Sequence, residues 1–457
     1  MITAKNPATG ETIKEYPEMD AADVDLKVLK AAMAQKKWEK ESFKNRAELL
    51  LKASEILLKR KDEFATLMAQ EMGKPIAQGR AEIEKCAKTC VYYAENGEAF
   101  LKDEIVETEF LKSFAAFRPM GVVLAVMPWN FPFWQVWRFL APALMAGNGG
   151  VLKHASNVPG CALAIEEVVR EAGFPDGIFS TLMISSKDVE RVIANPNIAA
   201  VTLTGSTAAG SAVAATAGQF LKKSVMELGG SDAYIVLKDA DLPNAAKACA
   251  ASRLNNTGQS CVAAKRFIVV EEVFDEFEKL FVAEMESRSF GDPLDEKNAL
   301  GPLARHDLRD ELHEQVLKSI KLGAEAVIGG RKPIDAGAYY PPTVLKNVVK
   351  GMPAYDEELF GPVASMIRAK DEADAIRIAN DSVYGLGGAV FTQDLERGER
   401  IAREEIQSGG CFVNDFLASD PRLPFGGIKQ SGYGRELSVF GIREFVNIKT
   451  VCVKEVK

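Results

Sequence analysis

Residues 198–237 read IAAVTLTGSTAAGSAVAATAGQFLKKSVMELGGSDAYIVL, and this segment indicates the class of fold. The apolar run at 198–203 predicts a buried strand, the small residues of 207–217 predict a helix, and 233–237 predicts another strand. Strands separated by helices need right-handed crossovers, which give a parallel sheet. The segment therefore predicts an α/β protein.

The same alternation continues on both sides of this segment. On its N-terminal side, residues 45–72 predict one amphipathic helix that ends at Gly73, 121–127 predict a strand, and 159–172 predict a helix. Further strands and helices alternate in the C-terminal half, at 267–270, 273–285, 326–328, 372–380, 388–391 and 395–405. Two successive α/β units account for this pattern, with their boundary near 228–231.

Composition excludes several classes of protein. The chain has 457 residues and a net charge of −8, and no basic segment suggests a nucleic-acid or anionic-membrane partner. No apolar run approaches the length of a membrane span, and the first residues lack the pattern of a signal peptide. We therefore expect a soluble, cytoplasmic protein.

Seven cysteines and three histidines limit the chemistry. An odd number of scattered cysteines fits reduced thiols better than a disulfide framework. Cys86 and Cys90 lie one helical turn apart, but no third and fourth zinc ligand is in sight, so no metal site is expected. We expect a buried structural role for six of the cysteines: Cys86, Cys90, Cys161, Cys249, Cys411 and Cys452. His306 and His313 are expected on the surface, so a proton-transferring base is not expected to be histidine.

Three segments carry the remaining chemistry. Cys261 ends the polar stretch NNTGQSC at 255–261, which is typical of a turn that presents a thiol to a cleft. Glu227 lies between apolar residues and a Gly-Gly turn, where burial would raise its pKa toward that of a general base, although a structural ion pair remains an alternative. Asn130 follows the strand at 121–127, and it is either an oxyanion donor or an ordinary turn residue.

Residues 205–210, GSTAAG, follow a predicted strand and begin a helix, so their backbone could approach a phosphate. The usual GxGxxG fingerprint does not follow any predicted strand, and by spacing alone this segment is a weak indication.

Taken together, these segments resemble the aldehyde dehydrogenase superfamily over nearly the whole chain. The matching motifs are PWNFP at 128–132, TGSTAAG at 204–210, ELGG at 227–230, GQSC at 258–261, ELFGP at 358–362 and PFGG at 424–427. The resemblance implies two Rossmann-like α/β domains plus a small β hairpin for oligomerisation. It implies a cofactor-binding domain at 1–101 and 119–228, a catalytic domain at 229–428, and oligomerisation or bridging segments at 102–118 and 429–457. A homodimer or homotetramer is expected.

The resemblance also implies residue roles. Cys261 matches the nucleophile that forms a thiohemiacetal and then a thioester, Glu227 the base that activates water, and Asn130 with the Cys261 N–H the oxyanion donors. The positions that match cofactor contacts are Trp129, Lys153, Ser156, Gly205, Ser206, Leu228, Glu358 and Phe360. An acidic residue that would select NAD is absent at Ser156, so NADP is expected to be preferred and NAD accepted.

The expected substrate is succinate semialdehyde. Arg138 matches a carboxylate-binding arginine of succinate semialdehyde dehydrogenases, and the segment around Ser419 resembles their bacterial branch. A second such arginine, six residues before the nucleophile in some members, is Asn255 here, while Arg253 is out of register. An ion pair remains the alternative role for Arg138.

Two other functions stay open from the sequence. A broad aliphatic aldehyde dehydrogenase needs no carboxylate anchor. A Cys-Glu-Lys amidase or nitrilase would use Cys261, Glu227 and Lys153, but it leaves the motifs at 204–210 and 358–362 unexplained.

Overall fold

The computed structural model describes residues 1–333 and 337–456. Its α-helices are α1 (Ala21–Trp38), α2 (Phe43–Lys59), α3 (Lys61–Met72), α4 (Ile76–Phe100), α5 (Trp134–Ala146), α6 (Pro159–Glu171), α7 (Val189–Ala194), α8 (Thr207–Gln219), α9 (Leu242–Leu254), α10 (Phe274–Glu286), α11 (His306–Lys321), α12 (Pro353–Asp356), α13 (Glu372–Asn380), α14 (Leu395–Arg400) and α15 (Ser438–Glu444).

The strands fall into sheets and short ribbons. They are β1 (Ile2–Lys5), β2 (Thr12–Tyr16), β3 (Glu104–Ile105), β4 (Lys112–Pro119), β5 (Val122–Met127), β6 (Gly149–His154), β7 (Phe179–Thr181), β8 (Ile198–Thr204), β9 (Lys223–Glu227), β10 (Ala233–Val236), β11 (Arg266–Val270), β12 (Glu325–Ile328), β13 (Thr343–Lys346), β14 (Val363–Ala369), β15 (Tyr384–Gly385), β16 (Gly387–Phe391), β17 (Gly410–Val413), β18 (Ile428–Lys429), β19 (Gly432–Tyr433) and β20 (Val446–Val453).

Two sheets organise the chain. The first has the order β19-β9-β8-β5-β6-β7, and all its neighbours are parallel except the edge pair β19–β9. The second has the order β12-β13-β14-β11-β10-β16-β17, and all its neighbours are parallel except the edge pair β12–β13. Residues 228–232 connect the two sheets. The predicted α/β class is confirmed.

A third, separate sheet is antiparallel and has the order β20-β4-β3. It is built from the 102–118 region and the C-terminal tail, as the predicted hairpin requires, with β4 extending to Pro119. Ile105 and Ile448 of this sheet, and Leu111 directly before β4, are exposed apolar side chains. This sheet completes the predicted architecture.

The prediction of one helix over 45–72 was wrong, because the segment forms α2 and α3. The break lies at Arg60, whose backbone has φ −101° and ψ 16°. Asp62 and Glu63 then occupy the first turn of a new helix, where acidic side chains favour a helix start. The apolar pattern continues across the break, so periodicity alone did not reveal it. The end at Gly73, in the left-handed conformation, agrees with the prediction.

Four expectations about cysteine and histidine burial also need correction. Cys452 is exposed on β20 and Cys411 is only partly buried, because both lie on edge strands. His313 is partly buried and its Nδ1 lies 3.0 Å from the Tyr340 hydroxyl, and His306 is partly buried as well. The remaining structural cysteines are buried as expected.

Among the helices of the described residues, none has the length and apolar character needed to cross a membrane.

Candidate functional site

Four neighbouring parallel strands of the first sheet end at one edge. Lys153 lies near the end of β6, Asn130 follows β5, Gly205 follows β8, and Glu227 ends β9. Carboxyl ends of parallel strands meet at the same edge of an open sheet, which is where ligands bind. Residues that are far apart in sequence are therefore brought together here.

A cleft of about 300 Å³ opens at this edge. Residues of the second sheet's half of the chain close its other side, so the cleft lies between the two α/β units. The predicted site residues that line it are Trp129, Asn130, Gly205, Ser206, Leu228, Cys261, Glu358 and Phe360.

The loop that carries Cys261 has a constrained backbone. Asn256 and Thr257 adopt positive φ angles of 53° and 56°, and Gly258 follows at 75°. A Cβ on Gly258 would lie 2.2 Å from the carbonyl oxygen of Gly361, so only glycine fits where this loop meets the 358–362 motif. Packing thus sets the direction in which the thiol is presented.

Two buried cations hold the same loop. Lys265 Nζ donates to the carbonyl oxygens of Ser260 and Cys261 at 2.8 and 2.6 Å. Arg253 is fully buried and donates from Nη2 to the Gly258 carbonyl at 2.6 Å. Arg253 is therefore occupied by the loop and does not replace the arginine missing at Asn255.

Cys261 is partly buried at the bottom of the cleft. Burial raises the pKa of its thiol to about 12, although the charges of Lys265 and Arg138 act in the opposite direction. The sulfur is consequently protonated at neutral pH in the ligand-free protein, and it must lose that proton before it can act as a nucleophile.

Asn130 is fixed by hydrogen bonds on both ends of its amide. Its Oδ1 accepts from Gln135 Nε2 at 2.9 Å, and its Nδ2 donates to the Gln259 carbonyl at 3.1 Å. An amide has two N–H donors, so the second one remains for the cleft. Within the described residues no acceptor takes the Cys261 N–H, which leaves two donors near the sulfur.

Glu227 is buried, and neither carboxylate oxygen has a hydrogen-bond partner among the described residues. Burial raises its pKa well above the ordinary range, and the negative charge of Glu436 adds to the effect. The expected burial is therefore found, whereas an ion pair of Glu227 is not.

Glu358 and Phe360 face Trp129 across the cleft. Glu358 Oε1 accepts from the Gly230 N–H at 3.0 Å and lies 3.2 Å from Lys265 Nζ. The rings of Phe360 and Trp129 meet edge-on, with centroids 5.8 Å apart. These contacts connect the two halves of the cleft wall.

Lys153 and Ser156 lie in a neighbouring cavity of about 660 Å³. Burial lowers the pKa of the Lys153 ammonium, and Ser156 is exposed. The two residues share this cavity with each other rather than with Cys261, so the contact between Cys261 and Lys153 that an amidase triad needs is not present.

A further cavity of about 210 Å³ is also lined by Cys261. Arg138, Ser419 and Asn255 all line it, together with the aromatic side chains of Phe131, Trp134, Phe416 and Phe425. We call it the distal pocket. Cys261 and Gln135 line both this pocket and the cleft, so the two cavities adjoin each other at these residues.

Arg138 is buried rather than on the surface. Its Nε lies 2.5 Å from Glu436 Oε2, and its Nη2 donates to Thr204 Oγ1 at 3.0 Å. The guanidinium also lies 4.8 Å from the centre of the Phe425 ring. The ion pair that was the alternative role for Arg138 is therefore present, and Arg138 also lines the distal pocket, while its role in binding a substrate carboxylate stays a prediction.

Sequence reasoning missed three residues of this site. Gln135 orients Asn130, Lys265 holds the Cys261 loop, and Lys85 of α4 enters the distal pocket. A charged pair immediately before the apolar strand at 267–270 could have drawn attention to Lys265. Nothing local distinguishes Lys85 from other lysines of its helix.

Comparison with known proteins gives the family of this site. The aldehyde dehydrogenase family model matches residues 1–451.

The chain belongs to the aldehyde dehydrogenase family.

Relatives of this aldehyde dehydrogenase match over almost their full length. It is 49% identical over 446 residues to the succinate semialdehyde dehydrogenase [NAD(P)+] Sad of Escherichia coli K12, covering 98% of this chain and 96% of the relative. It is 47% identical to a probable NADP(+) succinate-semialdehyde dehydrogenase of Synechocystis, with 99% of each chain covered. The crystal structure of succinic semialdehyde dehydrogenase from Streptococcus pyogenes with NADP+ superposes with a TM-score of 0.97 at 38% identity, covering 100% of both chains.

Proposed function

We propose that this aldehyde dehydrogenase oxidises succinate semialdehyde to succinate with NADP, through a thioester on Cys261. The observation that carries the proposal is the position of Cys261, which lines both the cleft and the distal pocket. A reacting aldehyde carbon at this sulfur has space for a nicotinamide on one side and for its own distal group on the other.

The residues of the cleft fit a dinucleotide. Leu228 packs so closely on α8 that a Cβ at Gly210 would lie 2.3 Å from it, which brings the helix start against the cleft. Gly205 and Ser206 precede that helix, and its N–H groups favour a phosphate. Glu358 and Phe360 would hold the nicotinamide end, and Lys153 with Ser156 the adenosine ribose. When bound, the nicotinamide supplies the hydride acceptor.

The chain's own residues perform the other steps. The Cys261 sulfur forms a bond to the aldehyde carbon, and the oxyanion accepts hydrogen bonds from Asn130 Nδ2 and the Cys261 N–H. Each such donor is typically worth about 3–4 kcal/mol in the transition state. Loss of hydride leaves a thioester. Glu227 then takes a proton from water, the hydroxyl oxygen bonds to the acyl carbon, and the C–S bond breaks. Return of the proton from Glu227 to the departing sulfur regenerates the Cys261 thiol and the carboxylate. The raised pKa of Glu227 suits it to this proton transfer.

The carboxylated substrate is supported by the distal pocket. The Arg138 guanidinium and the Ser419 hydroxyl line a small cavity with aromatic walls, which suits a short chain with an anionic end. Relatives of nearly equal length carry the name of this activity. A broad aliphatic specificity would not need a cation in this cavity.

NADP preference, oligomerisation and location complete the proposal. Ser156 is neutral and exposed in a cavity that Lys153 also lines, and the two carboxylates of that cavity, Glu18 and Asp307, are paired with the Met1 amino group and with Arg305, which favours a 2′-phosphate. The exposed apolar residues of the β20-β4-β3 sheet are suited to assembly into a homodimer or homotetramer, and a cytoplasmic site of action stays part of the proposal.

An assay with two aldehydes and two cofactors tests the proposal. Succinate semialdehyde and butanal have four carbons each and differ in the terminal carboxylate. We expect kcat/KM to be at least about tenfold higher for succinate semialdehyde, and higher with NADP than with NAD. Equal values for the two aldehydes would overturn the substrate assignment and leave a broad aliphatic enzyme.

A further inference from the structure

The distal pocket contains a second cation besides Arg138. Lys85 lies on α4 and lines the pocket. Its Nζ lies 2.6 Å from Ser419 Oγ and 4.3 Å from the centre of the Trp134 ring. The side chain is therefore held in one place by a hydroxyl and an aromatic face.

The two cations differ in their partners. Arg138 forms an ion pair with Glu436, so its charge is already balanced by a buried carboxylate. Lys85 forms no ion pair among the described residues. The acidic groups close to it are engaged elsewhere, since Glu82 pairs with Lys74 at 2.5 Å and Asp420 with Arg422 at 2.8 Å.

An unbalanced ammonium in a partly buried pocket attracts a carboxylate more strongly than a balanced guanidinium does, because desolvation strengthens charge interactions. The Ser419 hydroxyl accepts a hydrogen bond from the Lys85 ammonium. It can rotate so that it donates its own hydrogen to an incoming carboxylate oxygen. Asn255, which also lines the pocket, is neutral and adds no charge.

We propose that the Lys85 ammonium is the principal binding group for the distal carboxylate of the substrate, and that Arg138 mainly balances Glu436 while lining the pocket. The inference rests on the proposed function and assigns its specificity to a residue of α4. It also explains how the pocket can select an anionic aldehyde although its position 255 is uncharged.

The test compares Lys85→Met with Lys88→Met. Lys88 lies three residues further along the same helix and is exposed, so its substitution removes the same charge without altering the pocket. For Lys85→Met we expect the KM for succinate semialdehyde to rise roughly tenfold to a hundredfold, the range for a hydrogen bond to a charged group. The KM for butanal and the kcat for both aldehydes should change less than about twofold, and Lys88→Met should resemble the wild type.

Two further measurements separate binding from folding. Lys85→Arg keeps the charge and should recover most of the affinity for succinate semialdehyde. Succinate should inhibit butanal oxidation competitively in the wild type, and Lys85→Met should raise its inhibition constant by a similar factor, whereas butyrate inhibition should not change.

The outcomes are distinguishable from failure of the proposed function. If the wild type prefers succinate semialdehyde and Lys85→Met keeps that preference, the inference about Lys85 is wrong and the proposed function stands. If the variant loses activity equally on both aldehydes, Lys85 has a structural role and the inference is wrong. If the wild type itself shows no preference, the substrate assignment fails, and the inference fails with it.

Discussion

The cleft and the distal pocket adjoin each other at Cys261, yet they are built differently. One side of the cleft is formed where strands of the first sheet end and includes small residues such as Gly205 and Ser206, and the other side is formed by residues of the second unit such as Glu358 and Phe360. The distal pocket is formed by long side chains from α4, α5 and the segment around Ser419. The comparison suggests that strand-end geometry suits the binding of a cofactor, whereas a few side chains that helices supply suit the selection of a substrate.

The cleft and the distal pocket also differ in their electrostatics. Around the cleft, burial raises the pKa of both the Cys261 thiol and the Glu227 carboxyl. The charged side chains that line the distal pocket are the cations Lys85 and Arg138 and the carboxylate Glu82, which pairs with Lys74. Reaction chemistry and substrate selection should therefore respond to different substitutions.

The largest effect is expected for Cys261→Ala. Removing the nucleophile should lower kcat by roughly 10⁴-fold or more, because no covalent route remains. Binding of NADP and of succinate should persist, since neither cavity loses its binding groups. Activity is followed by nicotinamide absorbance and binding by calorimetry, with the exposed Cys452→Ala as the matched control. Residual turnover in Cys261→Ala near the wild-type rate would contradict the account.

Glu227→Gln should uncouple the two halves of the reaction. Thioester hydrolysis should slow by roughly 10²–10⁴-fold, while the first turnover still releases one reduced nicotinamide per site. Rapid mixing would show this burst followed by a slow phase. A slow first turnover of the same size would mean that Glu227 acts before the thioester forms.

We also expect Glu227→Gln to change the pH dependence of the melting temperature. Because the pKa of Glu227 is raised in the folded state, the protonated form is favoured there, and the wild type loses stability as pH rises through that pKa. Glu227→Gln has no such loss, so its Tm should exceed that of the wild type at alkaline pH and converge with it in acid. The exposed Glu55→Gln should show no comparable pH-dependent difference.

Ser156→Glu tests the cofactor side alone. A carboxylate beside the adenosine ribose should repel a 2′-phosphate, and the NADP-to-NAD ratio of kcat/KM should fall by at least about tenfold. Ser156→Ala controls for loss of the hydroxyl. The preference for succinate semialdehyde over butanal should stay constant in both variants, and a change in it would show that the two cavities are not independent.

The pH dependence of KM should differ between succinate semialdehyde and butanal, and this is the smallest of the expected effects. Burial and the charge of Arg138 lower the pKa of Lys85 to about 8, against the opposing effects of Cys86, Glu82 and Asp420. The KM for succinate semialdehyde should thus rise several-fold above pH ~8, whereas that for butanal should not. For butanal, kcat/KM should rise with pH, because Cys261 must lose a proton. Lys85→Arg should abolish the rise in KM, and an identical pH dependence for both aldehydes would contradict the role of Lys85.

Sequence patterns predicted the cleft better than the pocket, for a physical reason. Strand ends, glycines and the thiol of Cys261 lie in short ordered motifs, so local reasoning places them at one edge. Glu436 pairs with Arg138, and its negative charge raises the pKa of Glu227. It lies about two hundred to three hundred residues away from both in sequence, so no local pattern reveals these interactions. Lys85 reaches the pocket only because α4 packs beside α5. The break at Arg60 was not predicted, because an amphipathic pattern does not reveal a change in the direction of the helix axis.

Arg138→Ala is a poor test of substrate binding in this structure. The substitution would leave the buried Glu436 carboxylate without its cation, and breaking a buried pair in this way typically costs about 3–5 kcal/mol. A raised KM would then mix lost binding with a disturbed fold. Variants of Lys85 avoid this difficulty, because Lys85 has a hydroxyl rather than a carboxylate as its partner.

The most direct measurement is the trapping of the acyl-enzyme. Glu227→Gln is mixed with NADP and succinate semialdehyde, quenched in acid, digested and analysed by mass spectrometry. The account predicts one succinyl group per chain, attached to the peptide that contains Cys261 and absent when NADP is omitted. An unmodified Cys261 peptide after a completed burst, or a succinyl group on another residue, would contradict it.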